Sequence, residues 1–148
     1  MEFIKRNTDY ALRALAYMAA QPSGKVFSIG EIAANERIPE EFLRKIFQKL
    51  TKAGILVSVR GSRGGFSLRR PPGAIAAREI VEVIQGPIAI NRCLLGRDAC
   101  QNWDRCRLRE SWTGIQREFV RFLEGITLQD LSDQQYGDGG EPGTKPEA

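Results

Sequence analysis

The sequence predicts a mainly α fold in which three short helices and a small β-hairpin are followed by a long C-terminal helix. Three observations predict it. The first fifty-odd residues hold three successive stretches with helical apolar spacing, each with its own start or stop signal. A short β-branched stretch then runs into a Gly/Arg turn. Farther on, apolar residues repeat at 4,3,4,3,4 from Leu108 to Ile126.

The first helix is TDYALRALAYMAA over 8–20, with Leu12, Leu15, Ala16 and Ala19 at helix spacing and Thr8 placed to cap it. QPSGK, 21–25, is a turn. Ser28 and Glu31 have the S-x-x-E spacing of a capping box and open a second helix, broken near Asn35–Ile38. Pro39 starts the third, where its missing N–H costs nothing, and Glu40 and Glu41 suit the positive end of the helix dipole. Phe42, Leu43, Ile46, Phe47 and Leu50 form its apolar stripe, and Gly54 ends it. Ile55–Arg60 reads as a strand, GSRGG (61–65) as a turn with two positive-φ positions, and Phe66–Leu68 as the return strand. Three helices followed by a hairpin is the order of a winged helix-turn-helix. PPG at 71–73 punctuates the chain, and AREIVEVIQ at 77–85 is a short helix ended by Gly86-Pro87.

The seam of Leu108, Trp112, Ile115, Phe119, Phe122 and Ile126 must be covered, either by a second subunit or by the chain's own domain. The dimer is the expectation for so small a protein. The domain plan is therefore a winged helix-turn-helix unit at 1–70, a linker helix, a loop holding all three cysteines and a dimerisation helix at 71–131, and a disordered tail at 132–148, which is rich in Gly, Asp and Pro.

A length of 148 residues suits one compact domain with appendages, and 42% hydrophobic with 27% charged residues suits a globular protein. The N-terminal stretch has no uninterrupted apolar core. Neither a signal peptide nor a membrane span is expected, and the expected location is the cytoplasm. Histidine is absent, which removes His-based catalysis and His metal ligation. With no C-x-x-C and no βαβ pattern, a thiol redox enzyme is disfavoured, and no enzymatic activity is expected. Residues 1–70 hold 13 Lys/Arg against 6 Asp/Glu, a net of +7, whereas 71–148 hold 9 against 12, a net of −3. The basic half suits a polyanion.

A helix that enters the major groove needs one face in the core and another that presents side chains to bases and phosphates. The third helix has both. Glu41, Arg44 and Lys45 are expected nearest the base edges, Lys49 and Lys52 on phosphate, and Arg60 and Arg63 at the wing tip along the backbone or in the minor groove. Each charge alone is an ordinary solvated side chain, and only their arrangement is specific.

The three cysteines are Cys93-x6-Cys100-x5-Cys106, too open for a zinc knuckle and unlike the usual ferredoxin runs. Arg92, Arg97, Arg105, Arg107 and Arg109 surround them. Three thiols within fourteen residues favour a metal site short of one ligand. Plain reduced thiols, a thiol–disulfide sensor, and zinc with a carboxylate remain alternatives.

Taken together, TDYALRALAYMA, FLRKIFQKLTKAGIL, VRGSRGGFSL, AREIVEVIQG, the three cysteines and FLEGITLQDL resemble the Rrf-type winged-helix transcriptional regulators, the group of IscR- and NsrR-like iron–sulfur cluster regulators. The resemblance covers nearly everything from Met1 to Leu131, and the VRGSRGGFSL wing is its most specific piece. It implies a homodimer, joined by crossing C-terminal helices, that binds partly palindromic operators in double-stranded DNA as a repressor. It implies that the cysteines hold an iron–sulfur cluster, 2Fe-2S or 4Fe-4S, which senses nitric oxide, redox change or iron–sulfur status. In some members an early Asp from the partner subunit is the oxygen ligand, and that position is Asp9 here. Other members use a His three residues after the last cysteine. Arg109 stands there, which excludes that scheme. Some relatives lack the cysteines and respond to protein partners. The alternative implied is thus a cluster-free regulator controlled by thiol oxidation or by a metabolic enzyme.

Overall fold

The computed structural model describes residues 2–137. In chain order the elements are α1 (Arg6–Ala19), α2 (Ile29–Glu36), α3 (Glu40–Lys52), β1 (Leu56–Val59), β2 (Gly65–Leu68), α4 (Ala77–Gln85), α5 (Leu108–Gly125) and α6 (Leu128–Tyr136), with single 3-10 turns at Pro72–Ala74, Arg92–Leu95 and Arg97–Ala99. The mainly α winged-helix arrangement expected from the sequence is present.

Local signals set most of these bounds. The Ser28 hydroxyl accepts the Glu31 N–H at 3.1 Å, as its spacing predicts. The carboxylate of Glu31 turns to Lys25 Nζ at 2.6 Å instead of closing the box. Arg37, at φ 54°, takes the left-handed position that ends α2. Pro39 is the N-cap of α3 rather than its first helical residue. Thr8 caps nothing, because α1 begins two residues earlier and the Thr8 side chain is fully buried inside its first turn. Its hydroxyl donates to Gln85 Oε1 at 2.7 Å. Its own backbone N–H is already used inside the helix, donating to the Lys5 carbonyl at 2.9 Å.

β1 and β2 pair antiparallel, from Leu56 opposite Leu68 to Val59 opposite Gly65. Phe27 forms a one-residue antiparallel bridge to β2, exchanging N–H···O bonds of 2.8 Å with Phe66 in both directions. This short bridge fastens the hairpin to the segment between α1 and α2.

One core joins Leu15, Phe27, Leu43, Phe47 and Leu56 to Ile75, Ile80, Leu128 and Tyr136, so it draws from both sides of position 70. Phe42, read as part of the apolar stripe, lies outside that buried set and rests on the edge of Tyr10, ring centroids 6.0 Å apart. The junction of α5 and α6 is tied to the start of α4 by Ala77 N–H to the Ile126 carbonyl (2.9 Å) and Leu128 N–H to the Ile75 carbonyl (2.8 Å).

One expectation needs correction, and the structure adds detail to a second. The tail was expected to be disordered from residue 132, but Ser132–Tyr136 continue α6 and both end residues are buried. A capping box between Thr127 and Asp130 starts this helix, and Tyr136 anchors its end. The backbone N–H and then the side-chain hydroxyl of Thr127 donate to the Asp130 carboxylate and hold its carboxyl below the usual range. The remaining expected tail, 138–148, lies outside the described residues. The apolar seam is also divided. Phe119 and Ile126 pack with Ala77, Val81 and Leu123, the last of which is off the seam and buried. Ile126 follows α5 in an extended conformation. Leu108, Ile115 and Phe122 stay 63, 54 and 64% exposed, one heptad apart on a single line. Trp112 is half-buried.

Candidate nucleic-acid interface and cysteine loop

The buried residues Leu43, Ile46, Phe47 and Leu50 fix how α3 is rotated. At roughly 100° per residue, the line pointing away from the core is Glu41, Lys45, Gln48 and Lys52. All four are exposed or half-exposed. Arg44 and Lys49 sit about 70° off this line, on opposite sides. Arg44 pairs with Glu40 at 2.9 Å across an exposed surface, a contact of small energy that DNA can displace. Lys49 donates to the Ile84 carbonyl at 3.2 Å.

A groove of about 770 Å³ runs between α3 and the hairpin, lined by Lys45, Gln48, Lys49, Thr51, Lys52, Ser58 and Phe66. Gln48 and Ser58 were not among the residues expected from charge. Both lie on the groove with three lysines, and the spacing of Gln48 seven residues after Glu41 was the signal that placed it on the same ridge. Arg60 and Arg63 flank the tip of the wing, both exposed, with no ion-pair partner among the described residues.

Glycine is required where this wing approaches other backbone. A Cβ on Gly65 would come 2.1 Å from the Phe27 carbonyl oxygen, and one on Gly64 would come 2.3 Å from that of Val59. Gly61, at φ 115°, opens the turn that Gly64 closes by donating to its carbonyl at 3.0 Å. The wing thus projects at a fixed distance beside α3. Together, a ridge of exchangeable polar and basic groups and a basic wing tip can contact base edges and phosphates.

The cysteines lie in the segment between α4 and α5. Its start is pinned by the Ile90 N–H to Gln116 Oε1 (3.2 Å). Cys93 is buried in the first 3-10 turn, while Cys100 and Cys106 are half-exposed, and all three are free thiols. Among the described residues no three Cys, Asp or Glu side chains are placed to share a metal ion. Asp9 is exposed in the first turn of α1, 3.7 Å from its own Arg13.

The donor set nevertheless fits a thiolate-bound group in kind. Arg109 lies over the Trp103 ring at 4.1 Å, and its Nε–H is buried with no acceptor. An unused donor of this sort, three residues from Cys106, suits a thiolate or another anion beside it. Nothing in the cysteine spacing indicated Trp103. Arg97 pairs with Asp104 at 2.7 Å. Short one-turn elements joined by Gly96 hold the rest of the segment.

The family model of Rrf2, described as an iron-dependent transcriptional regulator, matches residues 4–134. An HTH-type transcriptional regulator of Aquifex aeolicus (strain VF5) is 35% identical over 124 residues, covering 82% of this chain and 85% of that protein. CymR (YrzC), the global cysteine regulator of B. subtilis, superposes with a TM-score of 0.74 at 28% identity, over 90% of this chain and 98% of the other. IscR of T. potens shares the fold, with a TM-score of 0.70 at 24% identity over 86% of this chain and 84% of the other. No helix among the described residues is long and apolar enough to cross a membrane. The chain belongs to the Rrf2 family and is a DNA-binding transcriptional regulator of the winged-helix type, not an enzyme.

Proposed function

We propose that this regulator is a homodimeric, cytoplasmic repressor whose affinity for a partly palindromic operator is set by an iron–sulfur cluster held at Cys93, Cys100 and Cys106. The observation that carries this reading is the loop itself: three thiols within fourteen residues, with the buried, unpartnered Nε–H of Arg109 three positions after the last of them, in a family described as iron-dependent. Asp9 of the partner subunit is the fourth ligand in this reading. When bound, the cluster supplies a centre that reacts with nitric oxide or changes charge on oxidation. The protein's own part is mechanical. The cysteine segment joins α4, which packs on the reading head, to α5, whose exposed line of Leu108, Ile115 and Phe122 is the dimer seam. Ordering the segment resets the separation of the two α3 helices. Half-sites recur about one DNA turn, roughly 34 Å, apart, so a small change in that separation changes affinity.

Glu41, Lys45 and Gln48 face base edges in this arrangement, with Arg44 joining them once it leaves Glu40. Lys52, Arg60 and Arg63 lie along phosphate or in the minor groove. The test is anaerobic purification with iron and sulfide analysis and a visible absorption spectrum. Coloured protein that bleaches with nitric oxide and then releases its operator is the expected result. An unchanged spectrum in Asp9→Ala removes Asp9 from the ligand set.

The likeness to the global cysteine regulator CymR favours a second reading, in which the loop binds no cluster. Thiol oxidation or a docked metabolic enzyme then sets the affinity. Colourless, iron-free protein that binds its operator and loses it on mild oxidation, or on adding such an enzyme, would support that reading and end the first.

A further inference from the structure

Lys49 is exposed and lines the groove beside Lys45, Gln48 and Lys52, so its charge alone would make it a phosphate contact, but its ammonium is engaged elsewhere. It lies about 70° from the Glu41–Lys45–Gln48–Lys52 line on the α3 wheel. Its ammonium donates at 3.2 Å to the carbonyl of Ile84, in the last turn of α4. Carbonyls in a last helical turn lack intrahelical partners, and they carry the negative end of the helix dipole. A lysine brought there from another helix satisfies one of them and complements the charge.

The same turn of α4 is fastened on its other side. Gln85 Oε1 accepts from Thr8 Oγ1 (2.7 Å) and from the Lys5 N–H (3.2 Å), and Gln85 Nε2 donates to the Phe3 carbonyl (2.9 Å). Gly86, at φ 89°, ends the helix immediately afterwards, and the chain passes into the cysteine segment. The last turn of α4 is therefore where the start of α1, the last turns of α3 and the entry to the cysteines meet. The link to α3 from its side-chain ammonium is Lys49.

We propose that Lys49 is a positioning residue that ties the recognition helix to the C-terminal end of α4, and through it to the cysteine segment, and that it makes no DNA phosphate contact. The inference rests on α3 being the DNA-reading helix.

The test uses the full chain and a duplex that the wild-type protein selects from a random-sequence pool. Affinity is measured against salt concentration for wild type, Lys49→Gln, Lys49→Arg and Lys52→Gln. Hydrogen exchange is followed at the amides that close α4. Losing one phosphate contact lowers the slope of log K against log salt by about 0.9. Lys52→Gln should show that loss. Lys49→Gln should weaken binding several-fold at every salt concentration with its slope unchanged, and should speed exchange at the end of α4. Lys49→Arg, which keeps a donor there, should restore both to within about twofold of wild type. A Lys49→Gln slope that falls as it does in Lys52→Gln would make Lys49 a phosphate contact and overturn the proposal. Unchanged affinity and unchanged exchange in Lys49→Gln would overturn it as well. If Lys52→Gln leaves both affinity and slope untouched, the reading of α3 fails instead, and the exchange measurement still decides whether Lys49 holds α4.

Discussion

The Tyr136 hydroxyl donates to the Glu36 carboxylate, joining the end of α6 to the end of α2 across a hundred positions of chain. Both residues are buried. The other carboxylate oxygen faces Arg13 Nε at 3.4 Å, and the Arg13 guanidinium also donates to the Glu36 carbonyl. A buried carboxylate persists only when it is paired and hydrogen-bonded. Glu36 immediately precedes the left-handed Arg37 and the Pro39 cap from which α3 starts, so this cluster braces the turn of the helix-turn-helix.

Tyr136→Phe removes one of the two side-chain partners of that carboxylate. It should cost about 1–3 kcal/mol of unfolding free energy in urea, without loss of secondary structure.

Burial, and then the bond to Glu36, push the Tyr136 phenol well above its ordinary range. The folded chain therefore keeps a proton that the unfolded chain releases. The contribution of this group to stability is full below about pH 10 and declines as the pH rises above it. Urea midpoints measured from about pH 8 to pH 11 should fall more steeply in wild type than in Tyr136→Phe, which has no phenol to titrate.

Gly65→Ala places a Cβ against the Phe27 carbonyl, a backbone group that cannot rotate away. The wing must shift, at a cost of about 1–3 kcal/mol. Calorimetry should show a lowered Tm, and operator affinity should fall because Arg60 and Arg63 move with the hairpin.

Gln48→Ala tests the ridge of α3. If Gln48 forks onto an adenine, preference at one A·T pair of the operator should weaken by about 1–3 kcal/mol, with the salt dependence unchanged. Arg44→Ala should do the same at a G·C pair if Arg44 leaves Glu40 for guanine. Binding to a panel of single-base operator variants reads both.

Ile115→Glu and Leu123→Ala separate the two faces of α5. Ile115 is exposed, so the glutamate should yield folded monomers by sedimentation, with the thermal transition of the reading head retained. Leu123 is buried against Ala77 and Val81, and its truncation should cost about 2–5 kcal/mol in stability whatever the oligomeric state.

The winged-helix order was legible in the sequence because the signals that make it are local. The Ser28 cap, the Gly54 stop, the apolar stripe of α3 and the glycines of the wing act within a few residues of where they stand. The chemistry of the cysteine segment was legible as composition, since thiols and arginines are named by the sequence itself. Contacts made over long separations were not. Thr8 turned from cap to buried donor because Gln85 was there to receive it. The helix of residues 128–136 was hidden in a polar stretch whose end is held by a carboxylate from α2. The seam from Leu108 to Ile126 was visible as a period, yet only packing divided it between α4 and an open face. A sequence fixes which residues share a side of a helix, because backbone geometry sets the period. Which side meets which neighbour depends on where the other helices lie. That is why Lys49 was legible as a cation, and only the tertiary structure brought it to the carbonyl of Ile84.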